Sequence, residues 1–316
     1  CKPGCAMNLD PASATTLPML VTRAAQAYGD RKAITDGAVS LTFTDLERAR
    51  RQSAAAFLAA GLQQGDRVAI WAPNIYQWVL AAIGAQSVGG VLVPLNTRLK
   101  GPEAAYILRA SGARLLFTVS DFLDVSYPEL LAGEDCGALE QTIMLSGEAR
   151  GATAWEAFLA AGDGVEAASI DTREAALSAD DTLDILFTSG TTGNPKGAVL
   201  IYRNLVYDAH NIIRIWEICA DDVLCHALPL FHVHVLCFAL HTALLSGAHV
   251  RMLDQFKPQP VVAELSRKSA EAVCTVFMAV LAMYAKLMDY LGTQQLNFNH
   301  MRLFTSGSAP LLVKEL

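Results

Sequence analysis

The apolar run 185–187 is followed by Thr188-Ser189-Gly190-Thr191-Thr192-Gly193-Asn194-Pro195-Lys196-Gly197. The run reads as a buried strand, and the segment after it reads as a loop. Glycines let backbone N–H groups converge on an anion with no Cβ in the way. The hydroxyls of Ser189, Thr191 and Thr192 are further donors, and Lys196 supplies a point positive charge. Such a loop is built to receive phosphate oxygens. Its spacing departs from GxxxxGK(S/T): Pro195 stands where that motif needs its second glycine, and Gly197 follows the lysine.

Two more segments carry chemistry. Leu228-Pro229-Leu230-Phe231-His232-Val233-His234 places two histidines at a helix start, where either ring can donate or accept a proton. Ser306-Gly307-Ser308-Ala309-Pro310-Leu311 follows a strand at 302–305 and opens a helix at the proline. In an α/β sheet such a small-residue turn at a strand's carboxyl end can lie against a flat ligand.

The elements that must position these segments alternate along the chain. Thr44 and Glu47 read as a capping box opening a helix to about residue 60. Strands are predicted at 67–72, 91–94 and 115–119, with helices at 74–88 and 101–111. After a connection at 161–180, a strand from 182, a second at 197–201 and a helix at 202–216 frame the phosphate loop. A further series follows, with strands at 249–252, 273–278 and 302–305 and helices at 258–266 and 280–290. A short helix is predicted at 311–316. This rhythm predicts right-handed βαβ units and a mostly parallel sheet flanked by helices, an α/β fold. The expected division is a leader at 1–16 outside the fold, a first α/β subdomain at 17–160, the connection, and a second subdomain at 181–316. The second carries the phosphate loop and is incomplete at its C-terminal end.

With 316 residues, 53% hydrophobic and 17% charged, the chain can bury a large core. Its formal charge of −7 and lack of a basic run argue against a nucleic-acid partner. The window 78–95 is the most membrane-like, but Gln86, Gly89, Gly90 and Pro94 interrupt it; it reads as a buried helix, a turn and a strand. The seven cysteines are mostly dispersed, no secretory signal is visible, and Cys1 and Cys5 form a lone CxxxC. This pattern suits a reducing, cytoplasmic setting and offers no metal site. No GxGxxG follows the first strand, which disfavours a dinucleotide oxidoreductase. A non-catalytic nucleotide-binding module remains an alternative.

The TSGTTGNPKG segment resembles the phosphate loop of the adenylate-forming superfamily, which includes the acyl-CoA synthetases. LPLFHVH and SGSAPL resemble further segments of it, and the likeness extends from about Leu17. The resemblance implies an ATP-dependent acid–CoA ligase that forms an acyl-adenylate and then an acyl-CoA. Its partners would be a small carboxylic acid, ATP and CoA, with no membrane span; a homodimer is allowed. It implies that Thr188, Ser189, Gly190, Thr191, Thr192, Gly193, Lys196 and Gly197 bind the nucleotide. It puts His232 at the wall between acyl and phosphate sites, His234 beside the acid, and Ser306, Gly307, Ser308 and Ala309 along the adenine and acyl pocket.

The C-terminal half looks like malonyl-CoA synthetases, in which arginines matching Arg251 and Arg302 hold the substrate's second carboxylate. Val235, Leu281, Ala282 and Tyr202 depart from that pattern, so a generic medium-chain or aryl acyl-CoA synthetase is the alternative. The resemblance also implies segments beyond Leu316 that carry the Mg²⁺ ligand, a ribose-binding aspartate and the adenylation lysine. The chain alone is therefore expected not to make acyl-CoA.

Overall fold

The computed structural model describes residues 15–188, 194–232, 234–267, 273–294 and 296–307; the side chains at 234 and 237 also lie outside the description. In chain order the strands are β1 (Lys32–Asp36), β2 (Val39–Thr42), β3 (Arg67–Trp71), β4 (Val91–Pro94) and β5 (Ala113–Val119). Then come β6 (Gln141–Ser146), β7 (Thr153–Ala154), β8 (Thr182–Thr188) and β9 (Lys196–Ile201). The last are β10 (Val223–His226), β11 (His249–Met252), β12 (Val276–Val280) and β13 (Leu303–Gly307).

They form two sheets. One has the order β7-β6-β5-β3-β4-β8-β9 and the other β13-β12-β10-β11-β1-β2. All neighbours are parallel except β8 with β9 and β1 with β2. The expected α/β architecture is therefore present. The sheets, however, do not divide where the sequence suggested. β1 and β2 join the second sheet, through Ile34 beside Val250, while β8 and β9 close the first, through Leu92 beside Asp184. The strand that leads into the phosphate loop thus belongs to the first sheet.

The helix Tyr76–Ser87 carries no charged residue and is buried over almost its whole length. Contacts on all sides remove the amphipathic pattern of a surface helix. At Gly84 the helix Phe43–Ala59 comes so close that an added Cβ would lie 2.2 Å from Ser53 Oγ. The membrane-like window is thus core: buried helix, turn and β4. No helix among the described residues is long and apolar enough to cross a membrane. One continuous hydrophobic cluster joins both sheets.

Local chemistry corrects two sequence expectations. The capping box is Thr42 with Asp45, not Thr44 with Glu47: Asp45 N–H donates to Thr42 Oγ1 and Thr42 N–H to Asp45 Oδ2, both at 3.0 Å. Glu47 instead accepts from the fully buried Arg50, which also pairs with Glu174. Glu174 lies on the helix Ala167–Ala175, so the connection at 161–180 contains a packed element. Cys219 is disulfide-bonded, while Cys136, Cys225 and Cys274 are free thiols. The helix expected at 311–316 lies outside the described residues.

Candidate functional site

The hairpin that carries the phosphate loop leaves the carboxyl end of β8 and returns as β9, with Thr188 opposite Lys196. Thr188 Oγ1 donates to the Lys196 carbonyl at 3.4 Å. The tip residues Ser189, Gly190, Thr191, Thr192 and Gly193 lie outside the described set. Lys196 is exposed and has no ion-pair partner among the described residues. Gly197 lies within β9 opposite Phe187; an added Cβ there would meet Ile185 Cγ2 at 2.7 Å. A side chain there would force Ile185 to shift.

Because β4 and β8 run parallel, the chain after β4 emerges at the same edge as this loop. There, Asn96, Thr97 and Arg98 line a cavity of about 530 Å³. The second sheet contributes the residues that follow β10, including His232, with Gln255 and Phe256 after β11 and Val280 at the end of β12. The carboxyl edges of both sheets therefore meet at one cavity, the position expected of a ligand site in open α/β sheets.

Asn74 fixes the junction. It is 2% exposed. Its Nδ2 donates to the carbonyls of Leu228 (2.8 Å) and Leu253 (3.1 Å), and its Oδ1 accepts from Leu230 N–H (2.9 Å). One side chain after β3 thus holds the loops after β10 and β11, and with them the segment that ends at His232. Sequence reading passed over it. A buried asparagine directly after a strand was the available signal.

His232 is exposed and lines the cavity, its ring 4.5 Å from that of Phe231. The side chain of His234 is outside the described set, but its backbone opens a π-helix, His234–His241, beside the cavity. His226 and His241 are fully buried, and burial pushes both down to about 4, so they are neutral at neutral pH. Ser306 and Gly307 end β13 in register with Ala279 and Val280, at the edge that faces the cavity. Ser308 and Ala309 lie outside the described set. Two of the departures noted in the sequence, Val235 and Ala282, line the cavity.

The two arginines are not brought together there. β11 and β13 are separated by β10 and β12. At about 4.8 Å per strand, Arg251 and Arg302 are roughly 14 Å apart across the sheet. Arg251 is held by Glu264, with Nε to Oε2 at 2.7 Å and Nη2 to Oε1 at 3.3 Å. Arg302 precedes β13, at the amino end of the sheet opposite the cavity. It donates to both oxygens of Asp222 (3.1 and 2.6 Å) and to the Trp216 carbonyl (2.9 Å). Asp222 also accepts from Thr275 Oγ1 and Cys219 N–H. The expectation that the pair lines an acid pocket is corrected, because each guanidinium is already paired with a carboxylate.

Arg302→Ala is therefore expected to act on stability. It would leave the nearly buried Asp222 carboxylate without its cation, at a cost of about 2–4 kcal/mol. Urea unfolding checks this; a loss below about 0.5 kcal/mol would contradict it.

The AMP-binding enzyme family model matches residues 21–314. The chain belongs to that family. As an AMP-binding enzyme it is 32% identical over 305 residues to the 3-[(3aS,4S,7aS)-7a-methyl-1,5-dioxo-octahydro-1H-inden-4-yl]propanoyl:CoA ligase of Rhodococcus jostii, covering 95% of this chain and 58% of that protein. It is 32% identical to the crotonobetaine/carnitine–CoA ligase of Salmonella paratyphi A, over 73% of this chain and 45% of the relative. Among solved structures, ATP-bound MatB from Rhodopseudomonas palustris superposes with a TM-score of 0.75 at 29% identity, covering 94% of this chain and 56% of that one. The chain spans about half the length of the curated relatives it matches. Its relatives are acyl-CoA ligases, and their names carry dissimilar acyl groups.

Proposed function

We propose that this chain is the nucleotide- and acid-binding part of an ATP-dependent acid–CoA ligase. A substrate carboxylate oxygen attacks the α-phosphorus of ATP. Pyrophosphate leaves, and an acyl-adenylate forms. The CoA sulfur then attacks the acyl carbon, the thiol loses its proton, and AMP departs. Thr188, Ser189, Gly190, Thr191, Thr192, Gly193 and Lys196 are assigned to the β- and γ-phosphates. Gly197, next to the lysine, is assigned to the same phosphate-binding segment. His232 is assigned to the wall between phosphate and acid, with Ser306, Gly307, Ser308 and Ala309 along the far side and His234 beside the acid. Catalysis in this scheme is positioning plus stabilisation of developing phosphate charge. Mg²⁺ arriving with the nucleotide would offset part of that charge.

One observation carries the reading. The phosphate-loop hairpin and a cavity with no acidic lining residue among the described residues open at the same carboxyl edge. The test is ATP binding by the chain and by Lys196→Ala. Loss of one charge-assisted contact is expected to weaken binding roughly ten- to a hundredfold. Equal titration curves for the two proteins would sink the assignment.

For the acid, the cavity's size and its Phe122, Phe231 and Phe256 favour a bulky apolar body. The likeness to the Rhodococcus ligase, whose name carries a fused bicyclic acyl group, supports this. The narrower reading, malonate or a related short dicarboxylic acid, keeps the support of the likeness to MatB alone. It no longer rests on Arg251 and Arg302.

A further inference from the structure

The hairpin β8–β9 is anchored in the first sheet at its base. There Gln86 Nε2 donates to the buried Asp184 (2.7 Å), and Tyr202 N–H donates to the Asp181 carbonyl (3.2 Å). β4 pairs with β8 at one position, Leu92 beside Asp184. Two residues further along the same register, Pro94 would stand beside Leu186, and a proline has no N–H to donate to a ladder. β4 ends at that proline. From Ile185 to Thr188, β8 is therefore paired with β9 alone among the described residues, and β9 is the edge strand of its sheet. Lys196, Gly197, Ala198 and Val199 are all exposed.

A second contact holds the other end. The Tyr106 hydroxyl donates to the Pro195 carbonyl at 3.3 Å. Tyr106 lies on the helix Gly101–Ser111, which is fixed without help from the hairpin. Lys100 N–H donates to Glu103 Oε2 (2.8 Å) at its start, and Gly112 takes a left-handed φ of 63° past its last turn. Ala104, Ala105, Ile107 and Leu108 of this helix are buried, and Tyr106 packs against the same core. A ring held in the first sheet thus presents one hydroxyl to the backbone directly before Lys196. Among the described residues, no other side chain from outside the hairpin hydrogen-bonds to residues 194–199.

We propose that Tyr106 is a positioning residue for the phosphate-binding segment: it anchors the Pro195 carbonyl and so sets where Lys196 presents its ammonium group. The proposal rests on the reading of Lys196 as a phosphate contact. Its physical basis is preorganisation. A lysine on a two-stranded edge ribbon has to be ordered when a phosphate arrives, and one whose neighbouring carbonyl is already held gives up less freedom. A distance of 3.3 Å is long for a hydroxyl donor, so the effect of this one contact is modest.

Tyr106→Phe removes the hydroxyl and keeps the ring in its packing. Calorimetric titration compares the parent, Y106F, K196A and the double variant with ATP, tripolyphosphate and AMP. Y106F should bind ATP and tripolyphosphate about three- to fivefold more weakly than the parent, and AMP equally well. In the K196A background, Y106F should weaken ATP binding no further, because the hydroxyl acts through the lysine. In the ligand-free chain, amide exchange at residues 194–199 should be about threefold faster in Y106F and unchanged along the helix Gly101–Ser111. A tyrosine with only a structural role would weaken all three ligands alike. An ATP affinity or an exchange rate that Y106F leaves unchanged, an AMP loss equal to the ATP loss, or a Y106F effect that adds in full to K196A overturns the proposal. If K196A weakens ATP binding and Y106F does not, the nucleotide reading stands and the role of Tyr106 falls. A parent that binds neither ATP nor tripolyphosphate overturns the nucleotide reading, and the role given to Tyr106 with it.

Discussion

Asn74→Ala is expected to destabilise the protein by about 3–5 kcal/mol, close to the whole stability of a marginal domain. The substitution leaves the Leu228 and Leu253 carbonyls and the Leu230 N–H without their partner in a buried place. Each orphaned group carries its own desolvation cost. The replacement is also smaller, so the two loops lose the spacer between them. The consequence reaches the site, because segment 228–232 ends at His232. Urea unfolding measures the first effect, and amide exchange at residues 228–232 measures the second. A destabilisation below about 1 kcal/mol, with exchange unchanged, would show that the loops hold themselves.

Asp184 should make stability depend on pH across the neutral range. It is fully buried on β8, and burial pushes its carboxyl up to about 7. Gln86 Nε2 donates to Oδ1 at 2.7 Å, while Asp184 Oδ2 and Gln86 Oε1 have no partner among the described residues. Burial without a donor for Oδ2 favours the neutral acid, which carries its own proton. The unfolded chain releases that proton near 3.8. Between 3.8 and 7 the folded state therefore holds more protons than the unfolded state. Stability should fall as pH rises through this window, by an amount on the order of a few kcal/mol, and level off above it. Asp184→Asn supplies a permanent donor and should flatten the profile. Urea midpoints for both proteins from pH 4.5 to 8 decide it; parallel profiles would show that Asp184 does not titrate there.

Much of the scaffold was legible because local signals agreed. β4 and the helices Gly101–Ser111 and Tyr202–Trp216 fall where apolar period, proline and glycine placed them. The hairpin at 182–201 was readable as strand, polar loop and strand. What sequence could not supply was pairing. Nothing near Lys32–Asp36 announces a partner at His249–Met252, since parallel pairing is set by tertiary packing. Arginine is the sharpest case. Arg251, Arg302 and Arg98 are chemically identical in a sequence, yet two meet carboxylates and the third meets a cavity. Asn74 had only its position after a strand.

The exchange of strands between the two sheets sets a timetable for synthesis. β1 and β2 leave the ribosome early, but their parallel neighbour β11 follows roughly 200 residues later. At about 5–20 residues per second, the hairpin waits on the order of 10–40 s with one edge unpaired. The seven strands of the first sheet are all made in that interval and can close around the helix Tyr76–Ser87. The second sheet can only be assembled afterwards, against a finished first one. A ribosome stalled between β9 and β10 would therefore display a protease-resistant first sheet beside a cleavable β1–β2 segment.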